Sequence, residues 1–344
     1  MKKILALALA VMTVVLTGCS SAAVYVFTAP WIDKVTGAAY EKAVYKVERV
    51  FYVGGEESAP VTVAVGTLVQ TISTQDGNAD NGIITSELTM TYESEDILGT
   101  LPDYARKSTG TALIAYAVDT INSEHVFSDK TSVLRPVSTK KTFGIASSAS
   151  TLSREITAEY GEKFKVTQTI LPDGAVSKVE AGAGKVANKF DNEALYLLPR
   201  YIDNFKSGAA AVTLPIVSVT DTAINGGLSL YSLSISAGTT NVEFPFKIDS
   251  DFYKKFNKQF NEPEDRDPYI EAIEAAITNT STPSGPGISV YFGAFPLKDP
   301  DNNSSEVLKP LLKIVQTENI IGGENQGKLM FRTIYTIKDL STKA

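Results

Sequence analysis

The sequence is poor in the residues that build disulfides, catalytic triads and zinc sites. It contains one Cys, one His and one Trp in 344 residues. A single Cys cannot form an internal disulfide, so the fold must depend on its hydrophobic core. Nucleophilic triads and most zinc sites use His or several Cys, and His125 has no second His or Cys at ligand spacing. We therefore predict no catalytic residue, no metal and no cofactor.

An excess of positive charge is also missing. The formal net charge is -7, and the isoelectric point is near 5.0. Because proteins that bind nucleic acid normally carry a basic face, we expect no nucleic-acid partner. The same balance argues against electrostatic docking on an anionic membrane.

The apolar run at residues 4–16 is too short to cross a bilayer, which takes about 20 residues in a helix. It follows Lys2 and Lys3. A short positive region and then an apolar run of this length are typical of an export signal. We predict that residues 1–18 are a signal peptide.

The run ends in Leu16-Thr17-Gly18-Cys19, followed by Ser20. This segment resembles the lipobox of bacterial lipoproteins. The resemblance implies that Cys19 is the lipid attachment site, that a peptidase cuts before it, and that the new amine is acylated as well. It also implies a place in the cell envelope: the outer membrane, facing the periplasm, in a diderm host, or the outer face of the cell membrane in a monoderm one. The alternative is an ordinary secretory signal with an incidental Cys.

Behind Cys19, residues 19–37 are mostly small and polar, and we predict a lipidated tether there. From residue 38 to residue 344 the dominant period is two, which is typical of strands with one wet face. Leu88, Met90 and Tyr92 alternate with polar residues, and so do Phe164 and Val166. These residues are predicted to form one β-rich extracytoplasmic domain.

Further candidate strands are separated by turn residues such as Pro172-Asp173-Gly174 and Asn225-Gly226-Gly227. Consecutive strands with short turns imply antiparallel pairing. We predict a mainly β fold with a large curved antiparallel sheet or half-barrel, covered by a few helices. The further strands are predicted at residues 40–52, 60–73, 111–121, 132–143, 154–160, 212–219, 228–235, 242–248, 288–292, 308–315 and 329–337.

Three segments break this period and are predicted to be helices. Asp191 can cap the first, which Pro199 should kink or split. Ser250 can cap the second, and Asp267-Pro268 starts the third. The last two predict a helical insertion at about residues 250–280. Their apolar stripes either pack as core or line a ligand site; they are Phe252, Phe256 and Phe260 in the second helix, and Ile270, Ile273 and Ile277 in the third.

The order of elements from about residue 45 to residue 338, with the segment at 191–198 between two sets of strands, resembles an uncharacterised family of exported β-rich bacterial proteins. The fold of that family is related in shape to the half-barrels of lipoprotein carriers. The resemblance implies a long antiparallel sheet that curls around a helix. Pro199 and the insertion at 250–279 depart from the pattern, and the family offers no active site to carry over.

One acidic loop has the spacing of a calcium site. Asp76, Asn78, Asp80 and Glu87 fall at positions 1, 3, 5 and 12 of such a loop. Position 6 requires Gly but holds Asn81, and the flanking residues form strand patterns. A polar hairpin loop is therefore the preferred interpretation.

We conclude from the sequence that this is a membrane-anchored, non-enzymatic protein with an envelope structural role or a protein partner in the envelope. Two alternatives remain open. In one, the sheet holds a cavity for a lipid or other hydrophobic ligand, and in the other a pair of carboxylates acts in hydrolysis. An empty apolar interior would favour the carrier, whereas a filled interior would favour the structural role.

Overall fold

The computed structural model shows a protein built mainly of strands, as the sequence predicted. Sixteen strands and one short α-helix lie in the residues that it describes. The described residues are 41–52, 59–75, 83–94, 107–122, 130–146, 151–202, 208, 210–243, 269–281, 287–293, 295–298, 305–308, 310–319 and 327–341.

Fourteen of the strands form one antiparallel sheet, in the order β8-β7-β6-β5-β4-β3-β2-β1-β16-β15-β12-β11-β10-β9. The remaining two, β13 and β14, pair with each other. The strands are β1 Glu41–Tyr52, β2 Pro60–Gln75, β3 Ile83–Ser94, β4 Lys107–Asn122, β5 Lys130–Ala146, β6 Thr151–Tyr160, β7 Lys163–Leu171, β8 Ala175–Gly182, β9 Val212–Val217, β10 Leu230–Glu243, β11 Tyr269–Asn279, β12 Ile288–Gly293, β13 Phe295–Lys298, β14 Ser305–Leu308, β15 Leu311–Asn319 and β16 Leu329–Ser341.

The first eight strands form a meander in which each strand pairs with the next one along the chain. Alternating side chains point to the inner face, as the period of two predicted. In β7, for example, Phe164, Val166 and Gln168 are buried, whereas Lys163 and Lys165 are exposed. Strand β1 also pairs with β16, so the first and last of the described strands lie side by side within the sheet.

The two outermost strands of the sheet, β8 and β9, are brought near each other by the α-helix Val219–Asn225. This helix follows directly from β9 and contacts β6, β7 and β8. Ser218 caps its start by accepting a hydrogen bond from the amide of Asp221, and Gly226 ends it with a φ of 68°. The sheet therefore curves strongly, and the predicted curved antiparallel sheet with a few covering helices is confirmed.

Residues 190–202, which we call the inner segment, lie against the inner face of this sheet. They form two 3₁₀ helices, Asn192–Tyr196 and Leu198–Tyr201. Asp191 caps the first by accepting a hydrogen bond from the amide of Asn192, and Pro199 stands at the start of the second, as predicted. The segment is part of the main hydrophobic core through its buried apolar side chains, which are Phe190, Ala194, Leu195, Leu197, Leu198 and Ile202.

The helix predicted to start at Asp267-Pro268 is wrong, because Tyr269–Asn279 is strand β11. The spacing of Ile270, Ile273 and Ile277 fits a helix, and its Ala and Glu residues favour one. However, β11 pairs along its length with β10 and along part of its length with β12. Pairing on both sides overrides a weak local preference. The predicted helical insertion therefore does not extend over residues 269–279.

Two strands were predicted separately, at residues 228–235 and 242–248. Residues 230–235 of the first and 242–243 of the second belong to one longer strand. Strand β10 runs without a break from Leu230 to Glu243. Several other predictions lie outside the described residues, namely the Ser250 helix with Phe252, Phe256 and Phe260, the signal peptide and Cys19, the tether, and His125. No helix in the described ranges is long and apolar enough to cross a bilayer.

Candidate functional site

One charged side chain of strand β5 points into the core. Lys141 on β5 stands opposite Ala112 on β4, which in turn stands opposite Leu88 on β3. Alternate residues share a face of the sheet, so Lys141 belongs to the same inner row as these apolar residues. Its side chain is 1% exposed. A lysine in this position requires partners of opposite charge, because an unpaired buried charge is very costly.

Three side chains surround the ammonium group of Lys141, and we call the four residues together the Lys141 cluster. The Nζ atom donates a hydrogen bond to Oδ1 of Asp191 at 3.0 Å and lies 2.9 Å from Oδ2. It also donates to Oε2 of Glu193, and to Oγ1 of Thr220 at 3.2 Å. The cluster thus joins β5 to the inner segment and to the short α-helix.

The protonation of the cluster follows from burial and from its charges. Burial, followed by the nearby carboxylate of Glu193, raises the pKa of Asp191 to about 6, although Lys141 opposes this shift. Burial alone would lower the pKa of Lys141, but Glu193 and Asp191 together raise it. Lys141 is therefore charged at neutral pH, and the cluster then holds two carboxylates against one ammonium.

Asp191 also organises the backbone around it. Its Oδ1 atom accepts hydrogen bonds from the amide of Asn192 at 2.9 Å and from the amide of Val219 at 3.2 Å. The first amide begins a 3₁₀ helix, and the second begins the α-helix. One carboxylate thus accepts from the first amide of both helices and binds Lys141 of the sheet, and these contacts compensate for its complete burial.

Two more polar contacts hold the rest of the inner segment on the sheet. The side-chain amide of Gln70 on β2 donates to the carbonyl of Tyr196 at 3.3 Å. Arg200 donates two hydrogen bonds to the carboxylate of Glu41 on β1, at 2.8 and 2.7 Å. The inner segment therefore crosses the sheet from β5 to β1, with one polar contact near its start, one in its middle and one near its end.

A cavity of about 300 Å³ lies between the inner segment and the half of the sheet that contains β10, β12 and β15. Its residues come from the first 3₁₀ helix and from β10, β12 and β15. They are Asn192, Glu193, Leu195, Tyr196, Tyr231, Leu233, Ile288, Val290, Ile314 and Gln316.

Hydrogen bonds fix most of the polar side chains on the wall of this cavity. Gln316 donates to the hydroxyl of Tyr196 at 3.0 Å and accepts from the hydroxyl of Tyr335 at 3.1 Å. The hydroxyl of Tyr231 donates to the side-chain oxygen of Asn192. The polar wall is therefore preorganised, and Glu193 joins it to the Lys141 cluster.

The arrangement can hold a positive charge, but the described residues contain no group of three or more His, Cys, Asp or Glu that could bind a metal. Of the four acidic-loop residues that have calcium-site spacing, only Glu87 is described, and it lies exposed on β3. Sequence reasoning identified Asp191 as a cap but missed Lys141, which lies 50 residues earlier in the chain. The available signal was a pair of neighbouring lysines within a predicted strand, one of which must point inward.

The comparisons with known proteins add little beyond this geometry. No family model matches the chain, and no curated protein matches it. Among solved structures, the chain is similar to a β-barrel-like protein of a domain of unknown function, DUF1849, from Brucella abortus. The TM-score is 0.43 and the sequences are 7% identical, with 90% of this chain and 100% of the other covered.

Proposed function

We propose that this protein is a lipid-anchored, non-enzymatic protein of the cell envelope, and that it acts through contacts between its outer surface and other envelope proteins. The lipobox at residues 16–19 supports the membrane anchor, with Cys19 as the acylated residue. The geometry of the sheet supports a structural or interaction role over a carrier role.

The observation that carries this proposal is that the inner segment fills the interior of the curved sheet on the side of β1 to β5. A lipid carrier needs an open, mostly apolar space in its sheet. Here the inner segment takes up that space on the side of β1 to β5, and Ala194, Leu197 and Leu198 are each 0% exposed. Side chains packed in this way fill a core as densely as a crystal of small molecules.

The inner segment is a fixed part of the core rather than a movable lid. Displacing it would expose its apolar side chains and would also separate Lys141 from Asp191 and Arg200 from Glu41. Each of these side chains is at most 2% exposed. A role that required the interior to open would have to overcome all these contacts together.

Native mass spectrometry of the full chain, purified from the membranes of its own host, tests whether the protein carries lipid. We expect the mass of the processed polypeptide with its covalent acyl chains and no further lipid. A phospholipid bound in stoichiometric amounts would instead establish the carrier function.

Photo-crosslinking in the host tests whether the outer surface meets another protein. Val65 on β2 and Leu113 on β4 are suitable positions for the crosslinker, since they are 51% and 41% exposed. We expect a discrete protein adduct from at least one outer position, and none from a matched inner position such as Leu88. If the outer positions give no more adduct than Leu88, the proposed interaction role is wrong.

A further inference from the structure

The cavity beside the Lys141 cluster has one apolar wall and one polar wall. The apolar wall is formed by Leu195, Leu233, Ile288, Val290 and Ile314. At about 300 Å³, the cavity is at the lower limit of small-molecule sites, which occupy about 300–1,000 Å³. It can accommodate a small amphipathic molecule but is too small for a phospholipid with two acyl chains.

Glu193 is the one charged side chain among the described residues that line this cavity. Its side chain is 25% exposed, whereas that of Asp191 is 0% exposed. Oxygen Oε2 of Glu193 accepts a hydrogen bond from Lys141, and no described residue donates to Oε1. The charge of the cluster is also incomplete, because two carboxylates share one ammonium. Glu193, which lines the cavity, therefore keeps spare accepting capacity on its carboxylate.

Tyr231, whose hydroxyl bonds to Asn192 beside Glu193, is close enough to the carboxylates to be affected by their charge. Burial and then the carboxylates of Asp221, Asp191 and Glu193 raise the pKa of Tyr231 to about 12. The three carboxylates among these causes favour a positive charge at this wall, whereas burial and the ammonium of Lys141 oppose one.

We propose that this cavity binds a small organic cation, a primary amine with a single aromatic ring or a short aliphatic chain. The ammonium group bonds to Oε1 of Glu193, and the apolar body contacts Leu233 and Ile314. An amine fits better than a metal ion, since it needs few ligands and brings an apolar part for the apolar wall. This site is separate from the proposed contacts of the outer surface.

The test uses three probes with the same ring and different heads: para-fluorobenzylamine, para-fluorobenzyl alcohol and para-fluorobenzoate. Fluorine-detected NMR of each probe, titrated with the full-length protein in detergent, gives its dissociation constant. We expect the amine to bind about tenfold more tightly than the alcohol, and the benzoate to bind least. Equal binding of amine and alcohol, or tighter binding of benzoate, would overturn the proposal.

Two variants locate the site. Glu193→Gln keeps the shape of the side chain and removes its charge, so the preference for amine over alcohol should fall from about tenfold to about one. Ile288→Phe places a larger side chain in the cavity and should weaken all the ring probes. Glu155→Gln is the matched control, because Glu155 is 43% exposed on β6 and does not line the cavity. Detergent micelles take up some of each probe, but they do so equally in every sample. This background therefore cancels when the variants are compared with wild type. If the amine keeps its preference in Glu193→Gln, the assigned site is wrong.

Discussion

Lys141 of β5 and Asp191 of the inner segment form an ion pair that is almost completely inaccessible to solvent. The Nζ atom lies 3.0 Å from one carboxylate oxygen and 2.9 Å from the other, and the side chains are 1% and 0% exposed. The pair joins the sheet to the inner segment across 50 residues of sequence.

Replacing Lys141 should be strongly destabilising. Lys141→Met leaves the buried Asp191 without its cation, and removing one partner of a buried pair costs about 3–5 kcal/mol. Urea unfolding measures this loss. Adding Asp191→Asn to Lys141→Met should restore part of the stability, because the second change removes the uncompensated charge.

The neighbouring Lys140 provides the control for this prediction. It points outward on the same strand, where it pairs with Glu155 at 3.0 Å, and the two side chains are 55% and 43% exposed. Exposed pairs contribute about 0–1 kcal/mol, so Lys140→Met should have little effect on the free energy of unfolding. Equal losses from the two substitutions would contradict the inward placement of Lys141.

The stability contributed by Asp191 should depend on pH in a defined direction. Its pKa is about 6 in the folded protein, whereas an aspartate in water has a pKa of 3.8. The folded state therefore binds more protons between these values, and the free energy of unfolding must fall as the pH rises through about 6. Wild type should exceed Asp191→Asn in stability by more at pH 4.5 than at pH 7.5, with a difference on the order of 1–3 kcal/mol.

Urea unfolding at a series of pH values measures this difference. Using the difference between wild type and variant cancels the titration of all carboxylates that the two proteins share. The opposite slope would mean that Lys141 lowers the pKa of Asp191 and outweighs both its burial and the repulsion from Glu193.

The second buried pair should behave like the first. Glu41→Gln removes the charge that binds both nitrogens of Arg200, and we expect it to cost about 3–5 kcal/mol. Glu180→Gln is the comparison, since Glu180 and Lys163 are 3.8 Å apart with side chains 54% and 66% exposed. Thermal unfolding should show a large drop for the first variant and almost none for the second. Similar drops would show that the contact between Arg200 and Glu41 does not fix the end of the inner segment.

The proposed membrane anchor gives a prediction of its own. Cys19→Ser removes the thiol that we propose as the lipid attachment site, so the variant should take up no radioactive fatty acid and should keep the predicted signal peptide. Labelling in the host followed by mass determination checks both results. A variant that is still labelled and reaches the mature mass of wild type would exclude Cys19 as the attachment site.

The sequence predicted the strands better than the contacts between them. Alternation sufficed for β3 and β7, because each has one wet face and one buried face. The cap at Asp191 and the break at Pro199 were also predictable, since both depend on local chemistry. Strand β11 was predicted wrongly because its helical spacing is overridden by pairing on both sides, with β10 before it and β12 after it in the chain.

The Lys141 cluster could not be assembled from the sequence for a related reason. Lys140 and Lys141 are adjacent, and a shift of one residue in register exchanges which of them points inward. The register of β5 against β4 includes an irregularity between Ala115 and Tyr116, which alternation alone does not reveal. The partners of Lys141 lie in a segment whose path over the sheet is set by tertiary packing.

The packing of Leu198 shows whether the inner segment fills the sheet on the side of β1 to β5. Leu198 is 0% exposed, whereas Leu230 on β10 is 43% exposed and provides the matched control. We expect Leu198→Ala to lower the free energy of unfolding by about 2–5 kcal/mol and Leu230→Ala to change it little. Binding of a fluorescent fatty-acid analogue should be absent or unsaturable in wild type and in both variants. Stoichiometric probe binding by wild type that is lost in a still stable Leu198→Ala would contradict the account and make this protein a carrier of hydrophobic ligands.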